Sequence, residues 1–381
     1  MFFSFKEKIE DFIVQEELAF NLDWIGDFFF VLFEKRGKNT MEIINQLCDS
    51  YKLERKELGI AWLKDKDWIT QQWLSIGERV LKRIWWEKNF LNTLLGEDVR
   101  ILDISRHSEP LSVGKNKGNF FTIRLRNKTK ITDNIKETLE RKLKECLSFW
   151  FPNTFWIQRF GKGNKNYKKA LKFFQTWKDL TDTYEVKFKL QAFWSMWFNE
   201  YVMKRVEDKN YLLEGDIMVN WWNAFWTQVA VLKNWKLSHF DYWKSKEKIE
   251  GKDFREPNEY TRESDNSSLW NPTGFVLWTE QLLCPSWSLS RKYDNLILEE
   301  SWFINHGTKI SKRYRLYGFR RPLFVIPKNL ERRRDGSNFI LNFFLPTGSY
   351  ATSFLAHILW EIDPDGCIEN GLIIPRPVIE K

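Results

Sequence analysis

The spacing of apolar residues predicts alternating strands and helices in the first part of the chain. Residues 11–16, 27–33, 101–105 and 119–126 either alternate apolar and polar positions or form short apolar runs, which is typical of strands. Residues 40–51, 133–149 and 167–177 carry apolar positions three and four apart, which predicts helices. Asn39 or Thr40 is expected to cap the first of these helices, because a short polar side chain can accept a bond from a free helix amide.

The pattern changes between about residues 184 and 318. We predict a helix over residues 190–206, then irregular chain rich in aromatic and charged residues, with a polar loop over 253–268. Strand character returns at residues 339–345, and residues 352–361 are predicted to form a helix. Strands at both ends around a different middle predict an α+β fold. One mixed sheet domain, residues 1–183 and 319–381, is expected to be interrupted by an insertion over residues 184–318.

Composition and charge narrow the class of protein. Of 381 residues, 43% are hydrophobic and 29% are charged, as expected of a soluble globular protein. Lys and Arg number 60 against 51 Asp and Glu, and the net charge of +9 favours a polyanionic partner such as nucleic acid. A proteome that is simply rich in lysine would explain the same excess.

The cysteines, the histidines and the apolar runs argue against metal sites, disulfides and membrane segments. The four cysteines and four histidines are isolated along the chain, so we expect neither a metal site nor a disulfide framework. Charges begin too early at the N-terminus for a signal peptide. The longest apolar run, residues 28–33, is too short to cross a bilayer. We therefore expect a cytoplasmic protein that does not associate with a membrane.

A carboxylate flanked by two cations is the first candidate for chemistry. Lys64-Asp65-Lys66 follows a short apolar strand predicted at residues 59–61. Nearby positive charge favours the ionised carboxylate, which is the state that a nucleophile or proton acceptor needs. Taken alone, such a triplet is more often solvated loop charge. Its position at the end of a strand makes Asp65 a candidate, because loops on rigid scaffolds often carry function.

Two further segments could bind a nucleotide. Residues 152–161 place Asn153, Arg159 and Phe160 ahead of a glycine loop, and an aromatic ring there could stack on a base. A buried phenylalanine with a surface arginine is the ordinary alternative. Residues 344–353 predict a strand, a turn and a helix N-terminus that could bind phosphate, or a plain strand-turn-helix connection. The basic runs at 311–315 and 332–334 could reach phosphates or merely be solvated.

Taken together, these segments resemble the TruD family of tRNA pseudouridine synthases. The resemblance is carried, in the family's order along almost the whole chain, by residues 11–16, 38–40, 59–74, 152–163, 198–199, 215–216, 271–274 and 345–353. It implies a pseudouridine synthase catalytic domain interrupted by an α+β TRUD insertion domain. It also implies isomerisation of a uridine in the D-arm of tRNA, uridine 13, to pseudouridine without a cofactor or metal. Nothing in the sequence demands more than a monomer.

The resemblance implies a catalytic role for one residue of the first candidate segment. Asp65 resembles the family's catalytic aspartate, acting as a nucleophile or as a base on a flipped-out uridine. Lys64 and Lys66 are expected to keep Asp65 ionised or to bind phosphates. Glu16 matches the N-terminal motif of the family, with no role assigned to it.

Residues that bind the uridine are implied in the same way. Phe160 resembles the aromatic residue that stacks on the target uracil, and Gln158, Arg159 and Asn153 resemble its supporting residues. Tyr350 matches an aromatic position in the family's C-terminal pocket motif.

Several tryptophans depart from the family pattern. Trp62, Trp68, Trp156 and Trp278 stand where the family has glycine or another small residue, whereas Trp73 matches a family tryptophan. Trp24 also stands in a loop where glycine would be natural. The chain has 21 Trp and only 18 Gly, whereas ordinary usage gives roughly 27 Gly in a chain of this length. One interpretation of these tryptophans is that the protein is a catalytically silent tRNA-binding or folding factor that keeps the scaffold of the family.

A second reading is that these four positions are glycine in the natural protein. Glycine accepts positive φ and close approach of the backbone, which tryptophan does not. A gene that uses UGA for glycine yields tryptophan at those positions when UGA is translated as tryptophan. We therefore expect UGA codons at positions 62, 68, 156 and 278 of the gene. Sequencing UGG there would contradict the hypothesis and leave an altered active-site loop.

Overall fold

The computed structural model of the chain describes most of its residues. They are 2–64, 66–85, 98–129, 131–148, 150–161, 164–176, 184–220, 229–240, 254–255, 260–265, 270–276, 281–301, 313–314, 316, 318–369, 371–374 and 376–377. The chain forms two compact units. Unit 1 comprises Met1–Leu147, Pro327–Gly348 and Asp363–Gly366, and unit 2 comprises Ser148–Ile326, Ser349–Ile362 and Cys367–Lys381.

The strands are numbered in chain order. They are β1 (Phe3–Ser4), β2 (Phe12–Leu18), β3 (Phe28–Lys35), β4 (Leu58–Ile60), β5 (Ile69–Gly77), β6 (Val99–His107), β7 (Asn116–Asn127), β8 (Phe151–Pro152), β9 (Ile217–Asn220), β10 (Val229–Lys233), β11 (Lys236–Phe240), β12 (Phe254–Arg255), β13 (Tyr260–Asp265), β14 (Trp270–Val276), β15 (Gln281–Leu282), β16 (Phe319–Pro322), β17 (Phe324–Val325), β18 (Lys328–Asp335) and β19 (Asn338–Pro346).

The helices are numbered in the same way. They are α1 (Thr40–Tyr51), α2 (Glu78–Trp85), α3 (Asp133–Ser148), α4 (Ile157–Phe160), α5 (Lys165–Thr176), α6 (Tyr184–Glu207), α7 (Leu289–Glu300), α8 (Ala351–Leu359) and α9 (Pro364–Glu369). Single 3-10 turns lie at Ile9–Asp11 and Arg55–Glu57.

Unit 1 is built on a mixed nine-stranded sheet. Its strand order is β18-β19-β7-β2-β5-β3-β6, with β1 added beside β7 and β4 beside β5. Strands β2 and β5 run parallel, and the other neighbours in this sheet are antiparallel. The predicted mixed sheet is therefore confirmed. It draws strands from both ends of the chain.

Helix α1 packs one apolar face against this sheet. Asn39 caps the helix reciprocally: the Glu42 amide donates to Asn39 Oδ1 at 2.8 Å, and the Asn39 amide donates to Glu42 Oε2 at 2.9 Å. Ile43, Ile44 and Leu47 are buried in one cluster with residues of β4 and β5. The predicted helix is confirmed, and of the two expected caps, Asn39 and Thr40, the structure has Asn39.

Unit 2 contains a second, six-stranded sheet of order β13-β11-β10-β9-β14-β16, whose paired strands are antiparallel. The prediction of irregular chain through this region was wrong, and so was the polar loop predicted over residues 253–268. Strand β13 lies in that stretch and pairs with β11 at the edge of the sheet. An edge strand is held by backbone hydrogen bonds along one side and needs no apolar alternation, so hydropathy does not reveal it.

Helix α6 and a large apolar cluster organise the rest of unit 2. The 24-residue helix contributes Leu190, Trp194, Phe198 and Tyr201, among others, to a core that also contains residues of β14 and α7. The predicted domain boundaries at residues 183/184 and 318/319 stay a prediction. Among the described residues, no helix combines the length and apolar character needed to cross a bilayer.

The hairpin between β10 and β11 has an unusual turn residue. Lys233 pairs with Lys236, so the loop consists of Asn234 and Trp235, with φ values of 51° and 59°. Two positive φ angles define a type I′ turn, which strongly prefers Asn-Gly. The Glu214 carboxylate accepts from the amides of Asn234 and Trp235 at 3.0 and 2.8 Å. These bonds hold the turn in place while the indole of Trp235 is 62% exposed.

Trp24, in a different loop, is also a tryptophan with a positive φ angle. Its φ is 63° and its side chain is 68% exposed. A left-handed backbone brings Cβ close to the next carbonyl, which costs an ordinary residue about 1–2 kcal/mol. The described tryptophans therefore include two at positions where glycine would fit without strain. One of them, Trp24, was already suspected from the sequence.

We expect Trp235→Gly to stabilise the protein by about 1 kcal/mol, because glycine adopts the second position of a type I′ turn without the left-handed penalty. The midpoint of urea unfolding should rise accordingly. Trp360→Gly is the matched control, since Trp360 has a helical φ of −57°. That control should be neutral or destabilising. Equal effects at the two positions would show that loss of an indole, rather than backbone strain, governs the change.

Candidate active site

The loop that carries the catalytic candidate is anchored by β4 and β5 of unit 1. The strands are antiparallel, with Ile60 opposite Leu74. A Cβ on Gly59 would lie 2.2 Å from the carbonyl oxygen of Leu111 and 2.3 Å from Ser75 Oγ. Glycine is therefore required at position 59, and its absent side chain lets the neighbouring segment close over the start of the loop.

Thr40 fixes the loop through the backbone of Lys64. The Lys64 amide donates to Thr40 Oγ1 at 2.9 Å, and the Thr40 amide donates to the Lys64 carbonyl oxygen at 3.1 Å. Thr40 is the first residue of α1, where helix amides lack partners within the helix. The helix N-terminus therefore binds the loop at residue 64.

The side chain of Lys64 turns into the sheet. Its ammonium lies 3.5 Å from Glu16 Oε1 and donates to Asn119 Oδ1. Glu16 on β2 and Asn119 on β7 are direct cross-strand partners, so they approach Lys64 from adjacent strands. Glu16 also accepts a bond from the Trp73 amide at 3.1 Å. The Lys64 side chain is only 8% exposed, which leaves it poorly placed to bind a phosphate in solvent.

Burial dominates the electrostatics of this group. It raises the pKa of Glu16 above its usual range, because removal from water penalises the charged carboxylate. The ammonium of Lys64 and the Trp73 amide oppose that rise by stabilising the charged form. A buried charge without a partner is strongly destabilising, so Glu16 and Lys64 depend on each other.

The other residues of the first candidate segment differ in their exposure to solvent, where the structure describes them. Asp65 lies outside the described residues. Lys66 is exposed, which is compatible with a contact to a phosphate. Trp62 is 52% exposed, whereas Trp68 is buried with its ring 5.0 Å from that of Phe12.

In unit 2, the segment that follows β8 is held by hydrogen bonds at Asn153 and Phe155. Asn153 donates through its backbone to the Leu323 carbonyl at 2.8 Å and through its side-chain amide to the Pro322 carbonyl at 2.9 Å. The Phe155 amide donates to Asn199 Oδ1 at 2.6 Å, and Asn199 Nδ2 donates to the Phe155 carbonyl at 3.0 Å. The Asn199 side chain thus pairs with the backbone of Phe155 as a neighbouring strand would.

A buried arginine lies among aromatic rings in the same unit. The Arg321 guanidinium carbon is 3.8 Å from the ring centre of Phe155, 5.1 Å from that of Phe198 and 5.4 Å from that of Tyr350. Arg321 Nη2 also donates to Asn153 Oδ1 at 2.8 Å. Burial lowers the pKa of Arg321 to about 10, which leaves it a cation at neutral pH. The arrangement combines positive charge with flat apolar faces, as nucleotide sites often do.

The structure locates the other predicted uridine-binding residues in unit 2. Arg159 donates from Nε to Ser195 Oγ at 3.1 Å, and its guanidinium carbon lies 5.5 Å from the ring centre of Phe155. Tyr350 is half-buried, with its ring 6.1 Å from that of Phe155. Phe160 is fully buried in the core, so stacking on a base would require its ring to leave that core. The side chain of Gln158 lies outside the described residues.

Three residues of this arrangement were not singled out from sequence. Phe155 lies inside the motif of residues 152–161, but Phe160 was preferred for stacking. Asn199 lies in a resembling segment without a role. Arg321 is one of two arginines in an otherwise apolar strand segment, and this contrast was the signal available. Within the described part of the chain, no group of three or more His, Cys, Asp or Glu residues could hold a metal ion.

Comparisons with known proteins agree with the resemblance. Residues 1–170 match the family model of TruD, tRNA pseudouridine synthase D. A curated tRNA pseudouridine synthase D from Mannheimia succiniciproducens is 28% identical over 358 residues, covering 93% of each chain. A solved structure described as tRNA pseudouridine synthase D (TruD), from Methanosarcina mazei, has a TM-score of 0.58 at 20% identity and 93% coverage of both chains. The predicted resemblance and the predicted fold class are confirmed.

We expect Asn199→Leu to destabilise unit 2 by about 2–4 kcal/mol, because it leaves the buried amide and carbonyl of Phe155 without partners. Denaturant unfolding followed by circular dichroism measures the change. Asn295→Leu is the matched control, since Asn295 is exposed on α7 and should change stability by no more than about 0.5 kcal/mol. A similar loss in both variants would contradict the role given to Asn199.

Proposed function

We propose that this protein is a tRNA pseudouridine synthase of the TruD family, which isomerises uridine 13 in the D-arm of tRNA through Asp65. The observation that supports the catalytic assignment most directly is the anchoring of Lys64. Its backbone is bonded to Thr40 and its ammonium lies beside Glu16, so the residue that follows is attached to a fixed point of the chain. Similarity over 93% of the chain to a curated tRNA pseudouridine synthase D supports the enzyme class.

The proposed reaction rearranges one uridine without adding or removing atoms. The target uridine leaves its stack, and the bond between N1 and C1′ breaks. The uracil turns over, C5 forms the new bond to C1′, and the proton on C5 is lost while N1 gains one. Asp65 acts as the nucleophile that promotes cleavage or as the base that takes the C5 proton. Either role requires the ionised carboxylate.

Lys66 is the residue that we propose to favour the ionised form of Asp65 or to bind phosphate. Lys66 is exposed, whereas the side chain of Lys64 is only 8% exposed and lies beside Glu16. The two lysines of the triplet therefore have different proposed roles. Lys64 fixes the chain, and Lys66 supplies positive charge to the solvent side.

We assign the binding of the uridine and its neighbouring phosphates to residues of unit 2. The partly exposed ring of Tyr350 and the guanidinium of Arg159 offer a stacking face and a positive charge. Asn153 and Phe160 support them from the interior, and Gln158 completes the set. The proposed partner is tRNA, and a cytoplasmic monomer that needs no cofactor is proposed.

A catalytically silent tRNA-binding factor is the second candidate. The observation that favours it is Trp62, whose large side chain is 52% exposed only two residues before Lys64. An indole in this loop could hinder entry of the uridine. The two candidates share the scaffold and RNA binding, and they differ in the chemistry at Asp65.

The enzyme assignment predicts that Asp65→Asn abolishes pseudouridine formation and leaves tRNA affinity within about threefold, because the amide keeps the shape of the side chain and loses its charge. The product is mapped at uridine 13 by carbodiimide treatment and primer extension. The assay uses the full chain and its Trp62→Gly/Trp68→Gly/Trp156→Gly/Trp278→Gly version. Asp67→Asn is the matched control, since Asp67 is an exposed acid two residues away.

Each outcome of this assay bears on one candidate. Product from the full chain or its glycine version, together with its loss in Asp65→Asn alone, supports the enzyme. Bound tRNA that is never modified by either version identifies the silent factor. Product at a uridine other than 13 would retain the enzyme class and contradict the assigned position.

A further inference from the structure

We propose that Thr40, Glu16 and Lys64 form a clamp that positions Asp65, and that Thr40 and Glu16 are positioning residues for the reaction. This inference rests on the proposed function of Asp65. It assigns a role to Thr40, which from the sequence is a helix-capping candidate within a segment that carries the resemblance, and to Glu16.

The first arm of the clamp holds the backbone. Thr40 bonds both backbone polar groups of Lys64: its hydroxyl oxygen accepts from the Lys64 amide at 2.9 Å, and its own amide donates to the Lys64 carbonyl at 3.1 Å. The peptide bond between residues 64 and 65 therefore has its carbonyl oxygen fixed. That peptide bond is planar and rigid, and it is the covalent link through which Lys64 acts on Asp65.

The second arm holds the side chain. Lys64 Nζ lies 3.5 Å from Glu16 Oε1 and donates to Asn119. The Glu16 side chain is fully buried, and that of Lys64 is 8% exposed. A buried ion pair is usually no gain in stability over an apolar pair of equal volume, so its retention calls for another explanation. The explanation we propose is that the ion pair holds the Lys64 side chain in one direction, next to a catalytic residue.

Threonine is suited to the first arm because of its hydroxyl. While the oxygen accepts from Lys64, the hydroxyl hydrogen can donate to Gln72 Oε1 at 2.7 Å. Serine can make both bonds, whereas valine, which has the same shape as threonine, can make neither. The base of the clamp is rigid, since Thr40 begins a helix whose Ile43 and Ile44 are buried against the sheet.

The expected effect of weakening the clamp is on the chemical step. A displacement of about 1 Å in a reacting group can cost about 100-fold in rate while binding is unchanged. We therefore expect Thr40→Val and Glu16→Gln to lower the single-turnover rate of pseudouridine formation at saturating enzyme by about 10- to 100-fold. Thr40→Ser should stay within about threefold of the parent chain, and the tRNA Kd should stay within about threefold in all three variants.

The decisive experiment measures these rates beside amide hydrogen exchange of the peptide spanning residues 61–68. Faster exchange in Thr40→Val and Glu16→Gln, with exchange in Thr40→Ser like that of the parent, is the expected result. It does not depend on catalysis. If the parent and its glycine version make no pseudouridine, the proposed function fails, and exchange alone then shows whether the clamp exists.

Three results would overturn the clamp. The first is a parental rate and parental exchange in Thr40→Val. The second is an equal loss in Thr40→Ser and Thr40→Val, which would assign the effect to packing of the methyl group. The third is a loss that follows the tRNA Kd or the melting temperature instead of the rate at saturation.

Discussion

The antiparallel pairing of β19 with β7 is the interaction on which unit 1 depends. It runs from Phe339 opposite Leu125 to Pro346 opposite Gly118, and it joins segments more than 200 residues apart in sequence. On its other side, β7 pairs with β2 and places Asn119 opposite Glu16. A Cβ on Gly118 would lie 2.3 Å from the Leu345 carbonyl oxygen, so the approach of the two strands requires glycine there. The residues around Lys64 thus owe their positions to a long-range strand contact.

Each of the two units contains a buried ion pair. In unit 1, Glu16 and Lys64 are paired inside the sheet. In unit 2, the Arg205–Asp216 pair is completely buried, with a shortest contact of 2.8 Å. Hydrophobic contacts tolerate small shifts, whereas a buried ion pair loses several kcal/mol when one partner is removed. These pairs therefore restrict each unit to one arrangement more than they add to its stability.

Much of the fold could be predicted because local patterning and tertiary structure agree. Helix α1 was predicted with its bounds, and Asn39 was one of the two caps expected for it, since its apolar period and its capping residues are both local. The six-stranded sheet of unit 2 was missed. Its edge strand β13 is polar and pairs with β11, which lies 20 to 29 residues earlier in the chain. Among site residues, an acid between two lysines was visible, but the burial of Lys64 beside Glu16 depends on cross-strand register, which sequence spacing does not contain.

The late position of β19 has a consequence for synthesis on the ribosome. The segment is completed only after about nine-tenths of the chain has been made, and α8 of unit 2 follows it. Until then, the nascent polypeptide holds β7 with one edge unpaired, and exposed strand edges are templates for association with other chains. A product released before residue 338 would keep that edge permanently. Termination before β19 would therefore be expected to yield an aggregating species, not a smaller working protein.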